Sequence, residues 1–127
     1  MKILLDTHIF LWLISGDARL PARMVAPLQD PRNHVFLSVV SVWEAMIKNG
    51  LGKLPLPQAS ELFLPAERER HGIISLQLGE EDLLHLPSLP PLHRDPFDRM
   101  LLCQARQHNC LIATVDAAML AYAPPAL

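Results

Sequence analysis

Four acidic side chains, Asp6, Glu44, Asp98 and Asp116, are far apart in the 127-residue sequence, yet each sits where chain geometry can bring it to a common place. Asp6 follows the apolar run Ile3-Leu4-Leu5, and Asp116 follows Leu111–Val115; both runs read as short buried strands. Glu44 and Asp98 read as first-turn residues of helices that begin near Ser41 and Asp95. If the strands are parallel, their carboxyl ends and the helix starts that follow share one edge of the sheet. Carboxylates gathered there repel one another and are costly to keep ionised unless a cation compensates. Oxygen donors of this kind suit hard ions such as Mg²⁺ or Mn²⁺ better than zinc. A divalent ion with open positions polarises a phosphoryl oxygen and activates water near neutral pH, which is the chemistry of phosphodiester hydrolysis.

Each acid also has a plainer use. Ser41-Val42-Trp43-Glu44 has the spacing of a capping box, in which Glu44 reaches back to a free backbone N–H. Asp95-Pro96 is a helix cap followed by proline at the first helical position, and Asp98 can complete that cap. Asp6 and Asp116 can each cap the helix that follows. Asp95 is assigned to the cap alone. His8 is either a base or phosphate ligand or a histidine packed at a helix start. Other chemistries lack their residues: no glycine-rich turn cradles a phosphate, no serine stands in a nucleophile elbow, and Asp6-Thr7-His8 lacks the second aspartate of an aspartyl-phosphate hydrolase.

The elements that must position these acids alternate in type. Strands are expected at Ile3–Leu5, His34–Val40, Gly72–Leu76 and Leu111–Val115. Helices are expected at Thr7–Ile14, from Pro21 to about Asp30, at Ser41–Lys48, at Gln58–Arg70 with Pro65 disturbing its middle, at Gly79–Leu86, and from Asp95 to about His108. A proline-rich connector spans Pro87–Pro91. This alternation predicts an α/β domain around a mainly parallel sheet, with room in 127 residues for one domain over 1–127. After the last acid, Ala121-Tyr122-Ala123-Pro124-Pro125-Ala126-Leu127 makes a central fifth strand improbable; a missing or edge-only strand would weaken dimerisation or the wall near Asp116.

A formal charge of −2 argues against coating nucleic acid through bulk electrostatics, although Arg94, Arg99 and Arg106 offer either local phosphate contacts or a solvated helix face. Half of the residues are hydrophobic and 19% charged, which fits either a large helical core or a surface covered by another chain. Cys103 and Cys110 read as reduced core thiols, since no zinc spacing is present. The apolar run Ile3–Ile14 is broken by Asp6 and His8 and is too short to span a bilayer, so no membrane association and a cytoplasmic location are expected.

Taken together, the chain resembles PIN-domain proteins, and in particular the VapC-type toxins of bacterial toxin–antitoxin pairs. The matching features are Leu4-Leu5-Asp6-Thr7-His8, Ser38 with Ser41-Val42-Trp43-Glu44, His93-Arg94-Asp95-Pro96-Phe97-Asp98-Arg99 followed by Leu101, Gln104 and Ala105, and Ala113-Thr114-Val115-Asp116. They span nearly the whole chain in the expected order. The resemblance implies a three-layer α/β/α sandwich with a four- or five-stranded parallel sheet. It also implies an endoribonuclease in which Asp6, Glu44, Asp98 and Asp116 are the catalytic, Mg²⁺- or Mn²⁺-binding acids, leaving a 5′-phosphate and a 3′-hydroxyl. Thr7 and Thr114 match hydroxyls that orient a carboxylate or water. The implied partners are RNA, a cognate antitoxin and a second copy of the chain. The alternatives are a PIN-like binding module that no longer catalyses, and a structure-specific nuclease acting on DNA.

Overall fold

The computed structural model describes residues Met1–Leu127. Four strands, β1 (Lys2–Leu5), β2 (His34–Ser38), β3 (Ile74–Leu76) and β4 (Leu111–Ala113), form one sheet in the order β3-β2-β1-β4, and every pairing is parallel. Parallel strands covered on both faces are continuously apolar. In β1, Ile3 and Leu5 face one layer and Leu4 the other. The first layer, built from α1 (Thr7–Ser15), α2 (Ala22–Gln29), α3 (Val39–Gly50) and α4 (Ser60–Arg70), packs Phe10, Met24, Ala45 and Leu64 against Ile3, Leu5, Val35 and Leu37. The second layer packs Leu101, Leu102 and Ala105 of α6 (Pro96–His108) against Leu4 and Ile112, with Met119 of α7 (Ala117–Leu120). The one-turn helix α5 (Glu80–Leu83) docks on α6. The three-layer α/β/α arrangement expected from the sequence is the one observed.

Several boundaries differ from the sequence reading. β2 stops at Ser38, and Val39 and Val40 open α3. The Ser38 hydroxyl accepts the Val40 N–H at 3.0 Å, so the helix starts despite two β-branched residues. The capping-box reading of Ser41 and Glu44 therefore fails, because Ser41 lies inside the helix and Glu44 falls in its second turn. α4 begins at Ser60 and runs unbroken through Pro65. The expected helix Gly79–Leu86 contracts to α5 and a 3-10 turn at Leu86–Ser88. β4 ends at Ala113, two residues early. Beyond it, Ala126 forms a single parallel bridge to Ile112, with Ile112 N–H donating to the Pro125 carbonyl and Leu127 N–H to the Ile112 carbonyl, both at 2.9 Å. The fifth strand is thus edge-only.

Both cysteines are buried free thiols whose ionisation burial pushes up. No helix is long and apolar enough to cross a membrane.

One polar link through the second layer locks α6 to the β2–α3 corner. The buried Ser38 hydroxyl donates to Gln104 Oε1, and Gln104 Nε2 donates to the Gln77 carbonyl at 3.2 Å. Ser38→Ala removes a helix cap and strands a buried acceptor, so it is expected to lower unfolding free energy by about 2–4 kcal/mol, with Ser38→Thr costing less. Urea unfolding of the variants checks this.

Candidate metal centre

In open parallel sheets, ligands collect outside the carboxyl ends of the strands where the strand order reverses. Here the chain steps from β1 outward to β2 and β3, then returns to place β4 on the other side of β1. The reversal lies between β1 and β4, where Leu5 is in register with Ala113. The residues that follow these two strands therefore leave the sheet side by side.

Asp6 is fixed from three directions. Its backbone N–H donates to the Ala113 carbonyl at 2.9 Å, its Oδ1 accepts the Thr7 N–H at 2.7 Å, and its Oδ2 accepts the Thr114 hydroxyl at 2.7 Å. The same Thr114 oxygen accepts the Asp116 N–H at 3.0 Å, so one hydroxyl joins both acidic loops. Asp116 caps α7 through Oδ1, which accepts the Ala118 N–H at 2.8 Å, and its other oxygen makes no hydrogen bond. Asp95 caps α6 by accepting the Phe97 and Asp98 N–H groups, as assigned. The Asp98 carboxylate takes no part in that cap; its Oδ2 lies 2.8 Å from His93 Nε2.

Donor atoms of His93, Asp98 and Asp116 all lie within 4.8 Å of one another. Asp6 is electrostatically coupled to both acids. Glu44 is placed differently: it is buried on α3, and its carboxylate meets Lys48 Nζ at 3.2 Å. The donor that the sequence reading left without a role is His93. It opens the His93-Arg94-Asp95-Pro96-Phe97-Asp98-Arg99 segment that carried the resemblance, but spacing rules for helices and strands give it no role. His8 stands at the start of α1, exposed but with its ring 6.1 Å from that of Trp12 and near enough to Asp6 to act on it electrostatically. Arg106 lies on the solvated face of α6, as one reading had it, with a hydrogen bond to Ser88, whereas Arg99 is half-buried and binds the connector that precedes α6.

The charges show what the cluster lacks. Burial, with added repulsion from Asp95, Asp6 and Asp116, pushes Asp98 up to about 6, although its hydrogen bond with His93 pulls the other way. Burial likewise raises Asp6, against the opposing bonds from Thr114 and Thr7. His93 is raised chiefly by its hydrogen bond to Asp98, helped by the charges of Asp98, Asp95 and Asp116. All three shifts favour added positive charge. The donor set fits a hard divalent cation: carboxylate oxygens and one imidazole, with the buried Thr7 hydroxyl beside Asp6 left without a partner.

A parallel sheet with an acidic cluster at its strand-order reversal defines a class of protein, and the sequence gives the family. Residues 3–123 match the PIN domain, and the chain belongs to the PIN domain family. Over 72 residues it is 38% identical to Ribonuclease VapC16 of Mycobacterium tuberculosis, a match covering 57% of this chain and 50% of that protein. The chain thus spans about half the length of the curated relative it matches. Among solved structures, VapBC2 from Rickettsia felis bound to a promoter DNA fragment is similar with a TM-score of 0.68 and 16% identity, over 91% of this chain and 88% of that chain. VapBC-1 from nontypeable Haemophilus influenzae gives 0.67 and 21%, over 97% and 92%. A toxin–antitoxin complex from Klebsiella pneumoniae gives 0.64 and 18%, over 98% and 95%. At these identities the structural likeness bears on the fold.

The raised groups predict how metal-free protein responds to pH. Asp98 holds its proton more tightly folded than unfolded, so it favours the folded state below the ordinary carboxylate range, and that contribution is lost as pH rises through about 6. Asp6 and His93, also raised, act in the same direction, His93 at higher pH. The melting temperature in EDTA is therefore expected to fall between pH 4 and 7 more in the native chain than in Asp98→Asn, as read by thermal denaturation across pH.

Proposed function

We propose that residues 1–127 act as one PIN domain that hydrolyses RNA phosphodiesters at the carboxyl edge of its sheet, with Mg²⁺ or Mn²⁺ held by Asp6, Glu44, Asp98 and Asp116. The observation that carries this reading is the convergence of Asp98, Asp116 and His93 at the β1/β4 reversal, with Asp6 tied to the same point through Thr114. A cation bound there would supply Lewis acidity to a phosphoryl oxygen and lower the pKa of a water. The chain's own contribution is placement. Thr114 holds the Asp6 carboxylate and the Asp116 backbone at a fixed separation, and the α6 cap presents Asp98 on a rigid first turn. Glu44 would join the set if its carboxylate, paired here with Lys48, turned from that lysine to a bound cation.

The reading extends to a type II toxin that acts in the cytoplasm, as a homodimer, and is neutralised by a cognate antitoxin. A groove beside the site supports the antitoxin. Leu11, Trp12, Leu54, Leu56 and Phe63 line it, and Lys53 stands at its rim. These apolar side chains are only partly buried against the core. An acidic, apolar segment would cover them and reach toward His8 at the start of α1.

Three measurements test the proposal. Structured RNA should be cut with Mg²⁺ or Mn²⁺ but not with EDTA, and Asp6→Ala and Asp98→Ala should each slow cutting at least roughly a hundredfold, given the several kcal/mol such an ion supplies. Equal cutting in all four samples would sink the assignment, and a calorimetric titration that finds no Mn²⁺ binding at the intact acids would favour a binding module. Expression without an antitoxin should arrest growth of a bacterial host, and Asp98→Ala should relieve the arrest; a harmless native chain removes the toxin role.

A further inference from the structure

His93 stands in the stretch between the 3-10 turn and Asp95, which has no helix or strand to hold it. A side chain on such a segment would lose considerable conformational freedom on joining a cluster of donors. The segment is instead tied down by two residues with no assigned role. The His93 N–H donates to the Tyr122 hydroxyl oxygen at 3.0 Å. The same oxygen accepts from Arg99 Nη1 at 2.9 Å, and that nitrogen also donates to the Pro90 carbonyl at 3.1 Å. Longer contacts of 3.5 Å reach the His93 carbonyl from both Arg99 and Tyr122, and the Leu89 carbonyl from Arg99 Nη2.

Arg99 follows Asp98 directly on α6, next to an acidic cluster, yet it makes no ion pair and uses its donors on carbonyls and a phenol. A planar guanidinium with a fixed fork of N–H groups suits this use, which a lysine cannot copy. Tyr122 comes just after α7, the helix that Asp116 caps. The pair therefore connects the segment carrying His93 to both helices that carry its fellow donors.

We infer that Arg99 and Tyr122 form a clamp that positions His93 beside Asp98, where its imidazole, on losing the proton shared between Nε2 and Asp98, would serve as the nitrogen donor of the cation site. The inference rests on the metal-dependent reading of that site. Both are positioning residues: neither touches the donors' acting atoms, and each works through the backbone of residues 89–93. Removing the clamp frees the imidazole from Asp98 without removing any acid.

The experiment uses the whole chain with ¹⁵N-labelled imidazoles, first without metal and then titrated with Mn²⁺. Native protein is expected to show a His93 ring held in one tautomer by Asp98, and to lose the His93 signals at substoichiometric Mn²⁺. Tyr122→Phe keeps the ring packing and removes the hydroxyl, while Arg99→Lys keeps the charge and removes the fork. Both should give an averaged His93 ring and bind Mn²⁺ roughly tenfold more weakly, the usual cost of losing a group that orients a ligand. Arg106→Gln, which releases the connector only at Ser88, should leave both readouts at native values. A purely structural role would lower the melting temperature of Tyr122→Phe and leave the His93 ring and the Mn²⁺ affinity unchanged; that result overturns the clamp. If native protein binds no Mn²⁺, the cation reading fails, and the metal-free ring signals still decide whether Arg99 and Tyr122 hold His93.

Discussion

The fold carries a repulsion that it must hold in check: carboxylates from separate segments share a partly buried corner, where the one cationic side chain among the three clustered donors is the His93 imidazole. What keeps Asp6 and Asp116 in place is a neutral hydroxyl. Thr114 donates to one acid and accepts from the backbone of the other, so it fixes their spacing without cancelling their charge. A salt bridge in that position would stabilise the empty site and compete with any incoming cation. The sheet topology makes this arrangement possible, because the two strands that flank the reversal, first and last in the chain, deliver the loops that follow them side by side.

The distinction between a capping acid and a liganding acid dissolves at this corner. An ionised carboxylate has two oxygens and several lone pairs. Asp116 spends one oxygen on the α7 amide and keeps the other. Asp6 gives one oxygen to a backbone N–H and the other to Thr114, and each oxygen retains capacity. Capping becomes the means by which a carboxylate is oriented. For Asp98 the outcome is cleaner, since Asp95 alone completes the α6 cap and leaves Asp98 free to meet His93.

Much of this was legible in the sequence because it rests on local signals. Continuous apolar runs marked β1 and β4, Asp95-Pro96 marked the start of α6, and acids after strand ends marked the edge where they gather. The α3 start was missed because Val39 and Val40 have the side chains of a strand, and only the Ser38 hydroxyl turns them into a first helical turn. Pro65 did not break α4, whose packing through Leu64 outweighs one missing amide. His93 stayed unassigned because its place depends on contacts with residues up to 29 positions away, which no spacing rule registers.

The edge-only pairing beyond β4 has a consequence for how the molecule behaves in crowded solution. An exposed parallel strand is a template on which other chains can polymerise. Ile112 meets this hazard by spending its N–H and carbonyl on residues 125 and 127 of its own chain. Pro124 and Pro125, which lack amide hydrogens, border that cover. The edge beside the acidic corner is thereby covered by a short segment of the same chain, bordered by prolines and holding only a single bridge to β4.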